Sequence, residues 1–532
     1  MIPVTAPCIQ HARAAATLPR FVRPVIVLHS VSFHTRANRV RLLDTREARD
    51  DQALFRRRRC SGMTTMDGEG ALAFNQEWSL IWREVRRRAA LRSPSPEFPL
   101  VFRLKGGWDH GVLDQALQAL AIRHSALRTV YEPTARYPPR LREMLLRLFW
   151  RHRVYMPGMY IQRTVGGPEI VIVERDAGTA SIDDLVTLAM EEPLETGRLP
   201  IRAVVFHVDA DTRVLVLVAS HFVCDGWSMG VLVRDFPMMY RAVLMGDMAD
   251  LPPIDVDYRE FAHVQHRAYG SGAFAAAEAF WYQQWSELGE AAIRHAEIPF
   301  AHHVGRPWVP ATASGEVRLT PAASVALRQT ARRLRVTPYT LFRTALTLSL
   351  SSATGKRRIA YWANFANRHA GHEQMVGWCS NTHLVTIDMP QTGTVASLCQ
   401  QIATAIRDAQ GHEALPLPAL WQRLGTCLDR HDTRVNFDVW PVPRHGAVPP
   451  TGPIEVVFSS FLPHLDLDVR VFDDGQCIGL RSTYDSGRYE TAGVAALISV
   501  TAAIAAQIVK DPSQTPSACV RAASGCSDFA TA

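Results

Sequence analysis

The chain of 532 residues has no paired cysteines, no metal-ligand spacing and no long continuous apolar run. Its nine cysteines stand singly at 8, 60, 224, 379, 399, 427, 477, 519 and 526. Without a C-x-x-C or a dense cysteine framework, a disulfide scaffold and a thiolate metal centre are excluded, and a reducing cytoplasmic setting is expected. The 20 histidines form no H-E-x-x-H and no Cys/His cluster of ligand spacing, so no metal is expected. No window reaches the roughly 18 continuous apolar residues of a membrane span, and the longest runs, such as "RVLVLVAS", have strand length. No membrane association follows.

The charge is also less informative than it looks. The formal net charge is +7, but residues 1–62 hold twelve Arg, no Lys and four acids, leaving the remainder close to neutral. That removes the argument for nucleic acid as a partner. The first 66 residues have no clear periodicity. A signal peptide is excluded because "PVIVLHSVSF" is short and followed by more arginine, and an organelle-targeting peptide by Asp44, Glu47, Asp50 and Asp51. This stretch is expected to be a disordered or untranslated leader, with Met63 and Met66 standing just before the first regular pattern.

From about residue 71 helices and strands alternate. "LAFNQEWSLIWREVRRRAA" has helical spacing, "PLVFRLKG" reads as a strand, and "DHGVLDQALQALAIRHSALRTVYE" as a capped helix running into a strand. Residues 138–160 interrupt with a basic amphipathic helix carrying Arg140, Arg142, Arg147, Arg151 and Arg153, either a solvated insertion or a surface for an acidic partner. "SIDDLVTLAMEEPLETGRLPIRAVVFHVDADTRVLVLVASH" gives a helix and a hairpin turned at "DADT". A Pro-rich connector places the main boundary near residue 252. The order then repeats in outline, with "TPYT" opening a helix, a second hairpin at "DDGQ", and a closing helix, "TAGVAALISVTAAIAAQIVK". The chain therefore reads as a mixed α/β protein: an N-terminal lobe over 67–252, a C-terminal lobe over 253–512 and a disordered tail over 513–532.

The chemistry concentrates in "VASHFVCDGWSMG", residues 218–230. Gly226-Trp227-Ser228-Met229-Gly230 has the form of a nucleophile elbow, but the strand ends near Ser220, too early for Ser228 to sit on a strand-to-helix turn. Ser228 reads better as a capping or surface residue in the first helical turn. His221, at the end of an apolar strand, is held rigidly and has an ordinary pKa near neutrality, so it can take a proton from an amine or alcohol. Asp225 can hold the turn through an arginine or backbone N–H groups, and Gly226 leaves room for a close approach. Taken alone, H-x-x-x-D-G also fits a structural histidine.

Further stretches occur in a telling order. The turn resembles the HHxxxDG motif of the condensation domains of non-ribosomal peptide synthetases, often continued as D-G-W-S-x-G. "LAFNQEWSLIW" is similar to that family's opening S-x-A-Q-x-R-L-W, and "RHSALRTVY" to R-H-x-x-L-R-T-x-F. "DVDYREFAHVQ", "FWYQQW", "WANFANRHAGHEQMVGWCSNTHLV" and "HEALPLPAL" resemble its linker, Y-W-x-x-x-L, A-N-R with V-G-x-F-V-N-T-L-P, and H-x-x-L-P-F segments. The resemblance spans about residues 70–510.

It implies two chloramphenicol-acetyltransferase-like lobes forming a V-shaped pseudo-dimer around a channel. It further implies a free-standing acyltransferase in non-ribosomal peptide or other specialised metabolism, joining a carrier-protein- or CoA-bound acyl or aminoacyl thioester to an amine or alcohol. No cofactor is bound in this scheme; the phosphopantetheine arm of a carrier protein, or CoA, brings the donor, and a monomer is expected. The resemblance assigns His221 as the catalytic residue, Asp225 and Arg368 as a structural ion pair, and Ser220, Gly226 and Trp227 to the turn and channel. Two departures stand out: Ser220 replaces the first histidine of the doublet, and His383 follows N-T where the family has Leu or Pro. The D-F-G-W-G string of plant-type acyltransferases is absent. The competing readings are a catalytically silent scaffold that binds a carrier protein, and a serine hydrolase using Ser228.

Overall fold

Continuous apolar segments in this chain become strands buried on both faces, and segments with a polar stripe become the helices that cover them. The computed structural model describes residues 69–88, 97–106, 108–152, 158–192, 194, 197–286, 288, 297–302, 312–424, 435–439, 454–457, 467–524 and 530–531. The expected leader over 1–66 lies outside the described residues.

The first half runs β1 (Glu69–Ala71), α1 (Phe74–Arg88), β2 (Glu97–Lys105), α2 (His110–Arg123), β3 (Thr129–Pro133), α3 (Pro139–His152), β4 (Tyr160–Thr164), β5 (Ile172–Asp176), α4 (Ile182–Met190), β6 (Ile201–His207), β7 (Thr212–Ser220) and α5 (Gly226–Met245). Helix starts follow their polar caps. Asp109 accepts from Val112 N–H, and Ser181 and Asp184 form a capping box. The "DADT" turn closes because Asp209 Oδ1 accepts from the N–H groups of Asp211 and Thr212 at 2.8 and 2.7 Å. Strand β7, "TRVLVLVAS", lies inside a five-stranded sheet that runs β2-β7-β6-β5, with Ile454–Val457 from the second half added at the β2 edge, and is antiparallel except for β5 with β6. Its last seven residues are all buried, so whatever follows it starts from a rigid base.

The second half runs α6 (Tyr258–Ser271), α7 (Ala275–Ser286), β8 (Thr312–Leu319), α8 (Pro321–Arg333), α9 (Pro338–Thr354), β9 (Arg358–Phe365), β10 (Asn381–Asp388), α10 (Val395–Gln410), α11 (Leu417–Leu424), β11 (Val435–Val439), β12 (Ile454–Val457), β13 (Leu467–Asp473), β14 (Ile478–Asp485), α12 (Thr491–Lys510), α13 (Pro516–Ala523) and β15 (Ala530–Thr531). Its seven-stranded sheet has the order β10-β9-β11-β13-β14-β8-β15. The expected division after residue 252 is crossed by one strand: β12 pairs with β2, from Ile454 opposite Leu104 to Val457 opposite Val101. The second half thus supplies an edge strand to the first sheet.

One expectation needs correction. The tail over 513–532 is not wholly disordered, because Thr515 caps α13, Pro516 starts it, and Cys519 and Ala523 are buried. Two apolar residues one helical turn apart were too short a pattern to recognise. The continuous apolar runs keep strand length, as expected, while one helix is apolar on average. Helix α12 reaches a mean hydropathy of 2.1 and, among the described residues, is the one helix long and apolar enough to cross a membrane. Its composition is that of a core helix, with Val494, Ile498, Ile504 and Ile508 buried and Thr501 bonded to Ser349 of α9 at 3.0 Å. Ser499, Thr501 and Gln507 interrupt the segment, so no continuous apolar stretch of membrane-spanning length forms.

The insertion helix α3 lies against α1, where Phe149 meets Trp78 and Trp82 with ring centroids 4.9 and 5.4 Å apart. Leu141, Met144, Leu148, Arg140 and Arg147 remain exposed. The Arg151 side chain and Arg153 lie outside the described residues.

Candidate functional site

The end of β7 fixes the site. Ser220 is buried, and its carbonyl accepts from Val223 N–H at 3.0 Å and from Cys224 Sγ at 3.5 Å, while its Oγ accepts from Phe222 N–H at 3.3 Å. Ser220 therefore shapes the turn. Gln76 of α1 donates to Tyr131 Oη at 3.0 Å and to the Phe222 carbonyl at 2.5 Å, and Tyr131 donates to the same carbonyl at 3.2 Å. The backbone beyond His221 is thereby pinned from below.

The His221 ring sits between two aromatic rings, Phe98 of β2 at 4.7 Å and Trp378, just before β10, at 4.1 Å. Its Nδ1 is buried and makes no hydrogen bond of normal geometry. Burial pushes its pKa below the ordinary 6.5, and the Arg470 charge adds to this. The nearby carbonyls of His221 and Cys224 and the Asp225 carboxylate oppose the shift without cancelling it. The imidazole is thus neutral at pH 7.

Asp225 caps α5 and accepts five hydrogen bonds. Its Oδ1 takes Ser228 N–H at 2.9 Å, Ser228 Oγ at 2.8 Å and Arg368 Nη2 at 2.8 Å; its Oδ2 takes the N–H groups of Cys379 and Ser380 at 3.0 and 3.1 Å. Both charged side chains of the Asp225–Arg368 pair are 2% exposed. Burial alone would raise the Asp225 carboxyl, but the Arg368 guanidinium and the Ser228 donors hold it below its usual value. Arg368 also donates to the carbonyls of His372, Met375 and Gly377. One ion pair therefore joins the turn after β7 to the segment between β9 and β10.

Ser228 is a node of this network and not the capping or surface residue expected from the sequence. It is fully buried, because Asp225 takes the cap and the third helical residue faces back beneath it. Its Oγ accepts from Arg368 at 2.9 Å and from Gly377 N–H at 3.0 Å, and its hydrogen lies between Asp225 Oδ1 and the Gly377 carbonyl. No histidine stands among these partners. Gly377 is required by close approach, since a Cβ there would meet the Tyr258 ring at 2.0 Å. Trp227 is partly exposed and donates to the Glu373 carbonyl at 2.9 Å, and Gly226 begins the helix.

Other sequence motifs fall into supporting positions. In "RHSALR", Arg123 and His124 both reach buried Asp235 of α5, at 2.9 and 3.0 Å, so α2 holds the helix that Asp225 starts. His383 is fully buried, stacks on Trp281 at 4.1 Å and contacts the Leu415 carbonyl at 3.0 Å. Burial pushes its pKa to about 3, so it is a neutral packing residue. Phe98 and the role of Trp378 were missed by sequence reasoning, although Trp378 lies inside a quoted motif.

The comparisons with known proteins follow this geometry. The chain matches the model of the condensation domain over residues 162–522. It is 25% identical over 330 residues to chondramide synthase cmdD of Chondromyces crocatus, covering 61% of this chain and 8% of that protein. The chain therefore spans a small part of the length of this relative. Among solved structures, the first condensation domain of the CDA synthetase aligns with a TM-score of 0.67 at 16% identity, covering 84% of this chain and 98% of that one. The X-domain in the complex of X-domain and OxyB from teicoplanin biosynthesis aligns with a TM-score of 0.67 at 19% identity, covering 85% and 96%. These likenesses establish the mixed α/β fold of two chloramphenicol-acetyltransferase-like lobes. By the match over most of its length, the chain belongs to the condensation-domain family.

Proposed function

We propose that the chain is an acyltransferase that joins a carrier-protein- or CoA-bound acyl or aminoacyl thioester to an amine or alcohol, with His221 as the base. The observation that carries this reading is a neutral imidazole held between Phe98 and Trp378 at the end of a rigid strand. Its buried Nδ1 leaves Nε2 as the nitrogen that meets substrate. In the step itself the acceptor nitrogen or oxygen attacks the thioester carbonyl, the new C–N or C–O bond forms and the C–S bond breaks. The proton passes from the acceptor to His221 Nε2 and then to the departing thiolate, so the enzyme ends unchanged. No cofactor takes part beyond the phosphopantetheine arm or CoA that carries the donor. Asp225, Arg368 and Ser228 position the turn and do not touch the reacting atoms.

The reading is tested by product mass spectrometry with acyl-pantetheine, acyl-CoA and acyl-carrier donors and a mixture of amines and alcohols. New amide or ester from the wild type, lost in His221→Ala, is the expected result; equal yields from both proteins would refute it. The exposed arginines and apolar residues of α3 fit an acidic carrier protein. A second reading, a silent scaffold that recruits a partner, is favoured by Ser220 at the first motif position and by the likeness to an X-domain solved in complex with OxyB. Carrier binding without His221-dependent turnover would select it.

A further inference from the structure

The reaction above leaves one developing charge without a partner. As the acceptor adds to the thioester, the carbonyl oxygen becomes negative, and stabilising it takes a fixed N–H or O–H donor aimed at that oxygen. His221 does not supply one, because its Nε2 is taking the proton of the acceptor at that moment. Asp225 only accepts, and Arg368 and Ser228 lie buried, bonded to Asp225 and to the Gly377 carbonyl.

The rings around His221 decide which groups a substrate meets. The imidazole is half-buried. Phe98 and Trp378 flank it at 4.7 and 4.1 Å and Nδ1 is closed in, so the open part is the edge that carries Nε2. A substrate at that edge lies against the rims of the two flanking rings. The Phe98 rim is hydrocarbon, and the residue is buried. Trp378 is half-buried, and its rim carries an N–H. Two other tryptophans spend this group on backbone carbonyls, Trp227 on Glu373 at 2.9 Å and Trp281 on His412 at 2.8 Å. The Trp378 indole N–H has no acceptor among the described residues and is not closed in.

The indole also stands on a rigid base. Tyr258 Oη donates to the Trp378 carbonyl at 2.8 Å, and on either side the N–H groups of Gly377, Cys379 and Ser380 are bonded to Ser228 and Asp225. A donor so fixed needs little reorganisation when charge develops beside it.

We propose that Trp378 is a catalytic residue, its indole N–H donating a hydrogen bond to the thioester carbonyl oxygen as that oxygen becomes negative. The proton stays on the indole throughout. The bond is strongest while the tetrahedral oxyanion exists and weakens as the C–S bond breaks and the carbonyl re-forms. The inference rests on the acyl transfer at His221 proposed above.

The test measures kcat and KM with an acyl-pantetheine donor and an acceptor that the wild type converts. It compares Trp378→Phe with a protein carrying 3-benzothienylalanine in place of Trp378, in which sulfur replaces the indole N–H at nearly the same shape. Both keep an aromatic ring beside the imidazole and lose the donor. In both, kcat falls by about 100-fold with KM unchanged, as for a contact made only in the transition state. The pH at which kcat/KM declines stays that of the wild type, and thermal unfolding verifies that each variant folds. Wild-type kcat in the sulfur-containing protein overturns the proposal, and a slow Trp378→Phe beside it then marks a packing role. A loss of kcat that comes with a shifted pH profile acts through His221 and overturns it as well. Equal yields from the wild type and His221→Ala would instead refute the acylation reading itself, and the role of Trp378 would fall with it.

Discussion

Arg368→Ala offers the sharpest test of how the site is held. The substitution strips one partner from an ion pair whose side chains are each 2% exposed, leaving Asp225 with Ser228, Cys379 and Ser380 as donors. Breaking a buried pair by removing one partner costs about 3–5 kcal/mol, because the remaining charge stays desolvated. Unfolding about 400 residues carries an entropy of about 0.8 kcal/mol/K, so the melting temperature should fall by about 4–6 °C. Thermal unfolding followed by circular dichroism measures this, with Asp225→Ala and the double variant completing a cycle. The double variant should be more stable than the sum of the single losses implies, by more than about 1 kcal/mol. The pair also has a pH signature. The Asp225 carboxyl is held below its ordinary 3.8 in the folded state, so its contribution is fully present above that value and is lost as pH falls through the lower folded pKa. A melting temperature unchanged by Arg368→Ala, or strictly additive losses in the cycle, would refute the claim that this pair locks the two halves of the site.

Three further outcomes are expected. Because desolvation lowers the His221 pKa, kcat/KM should stay level as pH falls from 8 toward the ordinary 6.5 and decline only below it; a decline centred above 6.5 contradicts the desolvated, neutral imidazole. Gly377→Ala drives a methyl into the Tyr258 ring at 2.0 Å and should destabilise by about 1–3 kcal/mol, with partial recovery in a Tyr258→Ala background; an unchanged melting temperature contradicts the close approach. Reversing Arg140, Arg142 and Arg147 to Glu should raise KM for a carrier-bound donor by about 10-fold, with little change for the same acyl group on free pantetheine. Equal effects on both donors would remove α3 from carrier docking.

What could be read from the sequence depended on how local each feature is. Strand β7, Asp225 and the helix α5 that it caps follow one another closely in sequence, so the position of His221 at a strand end follows from the pattern of residues 212–230. The Asp225–Arg368 pairing came only through resemblance, since no periodicity links positions 143 residues apart. The Phe98–His221–Trp378 contact left no trace at all, because any apolar residue satisfies the local patterns at 98 and 378. Ser228 was misjudged for a related reason: hydroxyls are common in first turns, and only the Gly377 strap packed over α5 turns that position inward. The strap explains why these features belong together. Gly377 bonds Ser228, Cys379 and Ser380 donate to Asp225, and Trp378 between them lies over His221. The same few residues that satisfy the buried carboxylate carry the ring that desolvates the imidazole. A substitution that frees the strap should therefore disturb the position and the pKa of His221 together, even where it touches neither the histidine nor the substrate.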